Sequence, residues 1–189
     1  MARKAVGAVN ITLQLCSEIT RQKAPGSGVP TGLPSYTMVV QPCSRGAYTI
    51  RCLCGLINNC GIIKRPDAAL IQQAFNHYKK SGKAFAPEGE KSIEFRELHS
   101  HGSREIKFVG VWDTVGAMGI PISFLGLFDD KDEFYDTKIG KNIRIARHAL
   151  AIDEHRKDFE PTIWKHADNM DLKQVWFAGA HADIGGSYK

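Results

Sequence analysis

The chain has 189 residues, 43% of them hydrophobic, which is enough to bury the core of one domain. Its formal net charge is +5 and its pI about 9.0. Basic and acidic residues interleave, as in Asp129-Asp130-Lys131-Asp132-Glu133, so the charge reads as solvated surface and disfavours a nucleic-acid partner.

The first 35 residues carry little fold signal. A short apolar piece, Val9 to Leu15, is interrupted by Asn10, Thr12 and Gln14, which argues against a signal peptide. Residues 24–34 hold three prolines and three glycines, the composition of a linker or disordered loop. Residues 1–35 are therefore expected to form a poorly ordered or unrelated segment, and residues 36–189 the folded domain. Nowhere does an apolar run approach the roughly 20 residues that span a bilayer, so no transmembrane segment is expected.

Tyr36-Thr37-Met38-Val39-Val40 reads as a short buried strand. After Gly46, the residues Ile50, Leu53, Cys54 and Ile57 recur at helical spacing and predict a helix over 46–60. Ser44 thus sits at a strand-to-helix turn, Pro42-Cys43-Ser44-Arg45-Gly46-Ala47. A nucleophile elbow occupies such a turn, and the N–H after the nucleophile, here that of Arg45, faces the developing oxyanion. The usual elbow has glycine on both sides; here Gly46 is present and Pro42 stands at the first position. Ser44 also suits an N-cap role. Cys43 precedes the apex and reads as a buried small hydrophobe. A Cys-x5-Arg phosphatase loop would need arginine at position 49, which is Thr49.

A second helix is expected over 66–80, with Leu70, Ile71, Ala74 and Phe75 facing inward. Residues 81–103 are polar and read as loop-rich, with a short element near Ile93-Glu94-Phe95. Ile106 to Thr114 follows a strand pattern that ends in an acid, Asp113, before a turn at Gly116 and Gly119. Residues 117–140 read as a long connection, a lid or substrate wall. Ile143 to His155 is expected to be a helix, on which Arg147, His148, Asp153 and His155 form a structural polar network. Gln174 to Phe177 reads as a strand running into a Gly-rich loop that carries His181. Alternating strands and helices predict an α/β domain with a parallel sheet flanked by helices.

Ser44, Asp113 and His181 therefore fall in the order nucleophile, acid, base on three expected strand ends. Each has a simpler reading: Asp113 as a turn cap, His181 as a structural loop histidine, and Asp183 as a rival acid two positions from it. The five cysteines, Cys16, Cys43, Cys52, Cys54 and Cys60, include no Cys-x-x-Cys pair. They argue against zinc and read as reduced thiols.

Four blocks carry a family resemblance: Ser-Arg-Gly-Ala-Tyr-Thr at 44–49, Val-Gly-Val-Trp-Asp-Thr-Val-Gly at 109–116, Arg-His-Ala-Leu-Ala-Ile-Asp-Glu-His-Arg at 147–156, and Gly-Ala-His-Ala-Asp-Ile-Gly-Gly at 179–186. From about Val39 onward the chain resembles the α/β-hydrolase family typified by the catalytic domain of type VI secretion phospholipase effectors. The resemblance implies lipid-ester hydrolysis through Ser44, Asp113 and His181, with no metal or organic cofactor. It implies a lipid or other ester substrate met at a membrane surface, and secretion-system partners. It also implies a cytoplasmic stage before delivery to a target cell. Members usually open with a strand ending in Asp-Gly-Thr, which this sequence lacks, and continue past the final glycines. The expectation is a partial α/β-hydrolase with N- and C-terminal parts missing. The alternatives are an inactive truncated remnant and a noncatalytic ligand-binding or interaction module.

Overall fold

The computed structural model describes residues 45–65, 67–115, 139–165 and 170–186. The strand expected over 36–41, Ser44 and nearly all of the 117–140 connection lie outside the described residues. The chain divides into two compact units. One is Leu56–Arg104; the other joins residues 45–55 to residues 105–186. Helix α1, Arg45–Cys60, contributes its first part to the second unit and its last turn to the first.

α1 follows its apolar spacing. Ala47, Ile50, Leu53 and Cys54 are buried along its first part, and Leu56, Ile57 and Cys60 along its end. Gly61 terminates it with φ +73°, a conformation that favours glycine, and its N–H bonds back to the Ile57 carbonyl at 2.8 Å.

In the Leu56–Arg104 unit, helix α2 spans Ala68–Tyr78. The Asp67 carboxylate caps it by accepting from the Ala69 N–H at 2.8 Å. Ile71 and Ala74 are buried as expected, together with His77 and Tyr78, while Leu70 and Phe75 are half-buried. The stretch expected to be loop-rich is more ordered than its polarity suggests. A 3₁₀ turn at Lys83–Phe85 leads into helix α3, Glu90–His99. Only Ser92 and Phe95 of α3 are buried, so the apolar stripe that would announce a helix is nearly absent. Polar anchoring replaces it. The Ser92 hydroxyl lies 2.6 Å from Asn59 Oδ1 and 2.9 Å from His77 Nε2. Arg96 donates to the carbonyls of Asn59 and Pro87, both at 2.7 Å.

The second unit holds a parallel three-stranded sheet in the order β1-β2-β3. Its strands are β1, Ile106–Trp112; β2, Ile143–Ala151; and β3, Asp171–Phe177. β2 corrects the sequence reading: the segment expected to begin a helix over 143–155 is the central strand. Ile143, Ala146 and Leu150 fall at spacings of three and seven, which mimic a helical stripe. The decisive period is two: Ala146, His148 and Leu150 are buried, while Ile145, Arg147 and Ala149 between them are partly exposed. Hydrogen bonding to a strand on each side then outweighs the helix preference of three alanines.

β3 lies at the edge of this sheet and leaves Val175, Trp176 and Phe177 about half exposed. After β3 the chain turns into helix α4, His181–Ile184. Cys52, Cys54 and Cys60 are thiols, not disulfide halves, and the last two are buried. Among the described residues, no helix is long and apolar enough to cross a membrane.

Candidate functional site at the strand ends

Parallel strands bring their carboxyl ends to one edge, and the loops that follow β1, β2 and β3 meet there. Asp113 is the first residue after β1. Its N–H donates to Ala149 O on β2 at 2.7 Å, so the ladder extends one residue beyond the strand. Its φ of +35° departs from the β1 conformation, and among the described residues it is the one non-glycine with positive φ. Such a residue costs local strain and persists where its surroundings overdetermine it.

Those surroundings are specific. Asp113 is fully buried, and its two carboxylate oxygens have separate partners. Oδ1 accepts from the Ala151 N–H at 3.0 Å. Oδ2 lies 2.6 Å from Nδ1 of His181, itself 7% exposed at the start of α4. A carboxylate only accepts, so Nδ1 carries the proton and donates it to Oδ2.

The loop that presents His181 is fastened by three carboxylates. The Gly179 N–H donates to Asp153 Oδ2 at 2.7 Å, the Ala180 N–H to Asp183 Oδ2 at 2.7 Å, and the His181 N–H to Glu154 Oε2 at 3.4 Å. Gly179 has φ +116°, and a Cβ there would stand 2.8 Å from Cβ of Asp183, so this turn requires glycine. Arg156 grips Glu154 through its backbone N–H, Nε and Nη2 at 2.6–2.9 Å. These bonds pull the Glu154 carboxyl down to about 2. The Arg156 guanidinium sits 3.9 Å over the Phe159 ring, and that ring meets His181 edge to face at 4.9 Å.

His148 on β2, 2% exposed, forms the floor beside Asp113. Its Nε2 accepts from the Thr114 N–H at 3.1 Å, and its Nδ1 lies 3.3 Å from Gln174 Oε1 on β3. The first contact needs a bare Nε2, so Nδ1 carries the proton and donates to Gln174. Burial pushes the His148 pKa down to about 4; the Arg51 charge acts the same way, against the Gln174 bond and the Asp113 charge.

Sequence reasoning placed Asp113 and His181 at strand ends, and the structure brings them into direct contact. Arg45 begins α1, as a residue after an elbow would. Asp183, the rival acid, instead caps the His181 loop. Arg147, His148 and Asp153 do not share a helix or one network: Arg147 pairs bidentately with Asp171 at 2.6 and 3.1 Å, while His148 and Asp153 serve separate loops. Glu154, Phe159 and Gln174 were missed as site neighbours. Only Glu154 had a local signal, since it stands in the 147–156 block.

The described elements make this an α/β domain with a histidine–carboxylate pair at the carboxyl edge of its sheet. Residues 39–189 match the family described as "T6SS, Phospholipase effector Tle1-like, catalytic domain", and the chain belongs to that family. Among curated proteins and solved structures, nothing matches. Family membership supports a lipid hydrolase function on a lipid substrate, and an effector secreted to a target cell.

Proposed function

We propose that this chain hydrolyses a lipid ester, as a phospholipase or esterase, by acyl transfer to water through Ser44, His181 and Asp113. The observation that carries the proposal is the 2.6 Å contact between buried Asp113 and His181, within a family match that also spans Ser44. With the Nδ1 proton committed to Asp113, the other nitrogen of His181 is the base that takes the Ser44 hydroxyl proton. The serine oxygen attacks the ester carbonyl. The Asp113 carboxylate stabilises the imidazolium, which then protonates the leaving alcohol. Water, deprotonated by His181 in turn, releases the acid and regenerates Ser44. The Arg45 N–H at the start of α1 is one donor to the oxyanion. In this proposal residues 36–189 form the catalytic domain and residues 1–35 lie apart from it. The protein is cytoplasmic until a secretion system delivers it.

A fluorophosphonate probe tests the assignment. Intact-mass and peptide analysis should place the adduct on Ser44 and not on Cys43. The label should disappear in Ser44→Ala and slow sharply in His181→Ala. Labelling that survives Ser44→Ala overturns the nucleophile. A chain that binds short-chain lipid esters without labelling or turnover is the noncatalytic module instead.

A further inference from the structure

We propose that His148 is a positioning residue for the Asp113–His181 pair, holding the backbone that follows Asp113 while Gln174 on the neighbouring strand fixes its ring. The inference rests on the hydrolase reading of that pair and assigns His148 no contact with substrate.

The argument begins with the strained residue. Asp113 keeps its positive φ only if the groups on both sides of it are held. Four bonds hold them. The Asp113 N–H donates to Ala149 O at 2.7 Å, and its Oδ1 accepts from the Ala151 N–H at 3.0 Å. The Thr162 N–H donates to Thr114 O at 2.8 Å. The Thr114 N–H donates to His148 Nε2 at 3.1 Å. Apart from the Asp113 carboxylate itself, His148 is the one side chain in this set. Thr114 is fully buried, so removing the imidazole orphans its N–H, and relaxation of the 113–114 peptide is the cheapest relief.

Gln174 makes His148 a directional acceptor. The two residues face each other in the β2–β3 register, as Val111 and His148 do in the β1–β2 register. The Gln174 amide is itself clamped: Oε1 accepts from the Trp164 N–H at 2.8 Å and Nε2 donates to the Trp164 carbonyl at 3.0 Å. With both amide atoms committed, Oε1 must face His148 as an acceptor, which puts the imidazole proton on Nδ1 and leaves Nε2 bare for Thr114. The Trp164 ring packs edge to face on His148 at 5.4 Å and carries the Arg51 guanidinium 4.7 Å above it. One side chain from each of two strands thus transmits the sheet register to the conformation of the acid.

The test compares His148→Leu, which keeps bulk and removes the acceptor, with His148→Gln, which keeps a side-chain acceptor for the Thr114 N–H. Two readouts are taken on folded protein: ester-hydrolysis kinetics, and the downfield proton resonance of His181 Nδ1–H, assigned by its loss in Asp113→Asn. The expected result for His148→Leu is a fall in kcat of about 10- to 100-fold with KM nearly unchanged, the scale of a small misplacement of catalytic groups, and a shifted or broadened resonance. His148→Gln restores most of both. Wild-type kcat and an unmoved resonance in folded His148→Leu overturn the inference. If His148→Leu does not fold, Gln174→Leu at the sheet edge is read the same way, and no change in either readout overturns it. Turnover lost in Asp113→Asn but kept in His148→Leu defeats this inference and spares the hydrolase reading. If the wild-type chain has no turnover, the hydrolase reading fails and the resonance alone decides the positioning role.

Discussion

Asp113 and His181 stand 68 residues apart in the chain and 2.6 Å apart in space. The carboxylate directly follows β1 and the imidazole opens α4, so one contact ties the end of the first strand of the sheet to the loop after the last. Replacing Asp113 with asparagine separates its chemistry from its backbone role. Asparagine tolerates a positive φ as aspartate does, so Asp113→Asn should fold with nearly the same unfolding midpoint. It cannot stabilise an imidazolium, and it admits the wrong tautomer of His181. Ester turnover should fall by about 10⁴-fold, the loss known for this change in the serine-protease triad. Steady-state kinetics beside a urea titration check both halves. Turnover within about 10-fold of wild type would remove Asp113 from the mechanism.

The three carboxylates under the His181 loop make a second expectation. Each holds one backbone N–H in sequence, Gly179, Ala180 and His181. Removing Asp153 or Asp183 should loosen this segment without unfolding the sheet. In Asp183→Ala, amide exchange at Ala180 should accelerate by about 10-fold, corresponding to about 1.4 kcal/mol for one lost charge-assisted bond. The strand amides of β2 should be unaffected. Exchange at Ala180 equal to wild type would show that Asp183 holds nothing.

Gly179→Ala probes the same loop sterically. A methyl group there meets Asp183 Cβ at 2.8 Å while the backbone stays at φ +116°. The combined strain is about 1–3 kcal/mol. The variant should lower the unfolding midpoint of the sheet unit and reduce turnover, whereas Gly186→Ala, which shares the strain of a positive φ (+72°) but has nothing within 4 Å, should perturb hydrolysis less. Equal effects at the two glycines would argue against a close-packed His181 loop.

How far the sequence speaks for itself differs from element to element. α1 was legible because Ile50, Leu53, Cys54 and Ile57 keep one helical stripe, all of them buried. β1 was legible because an apolar run ends in an acid. β2 was not: alternation governs its burial, but alanines and a spacing of three and seven disguise it, and only pairing with β1 and β3 settles the choice. α3 was legible only as a short element near Ile93-Glu94-Phe95, and its full length, Glu90–His99, was hidden for a different reason. Its inward face is Ser92 and Phe95, and hydrogen bonds from Ser92 and Arg96 hold it where an apolar stripe would be expected. The acid–base pair was legible as two strand ends. The Thr114–His148–Gln174 chain was not, because it exists only once three strands share a register.

The His148 titration yields the last prediction. Its pKa is lowered to about 4 in the folded chain, against about 6.5 when unfolded. Between those values the unfolded state binds the extra proton, so stability rises with pH through this window. The contribution is complete above about pH 6.5 and is lost as pH falls toward 4. It amounts to about 3 kcal/mol at its limit. His77 in the Leu56–Arg104 unit is also shifted down, by burial first and then by Lys80 and Arg96, and would contribute with the same sign. The two can be separated optically. All three tryptophans, Trp112, Trp164 and Trp176, lie in the unit that contains His148. Urea unfolding followed by tryptophan fluorescence should therefore show a midpoint that drops between pH 7 and pH 4.5. His148→Gln, which carries no titrating group, should flatten that drop, and His77→Gln should leave it in place. A pH profile unchanged in His148→Gln would mean that the buried imidazole does not set the acid stability of the sheet.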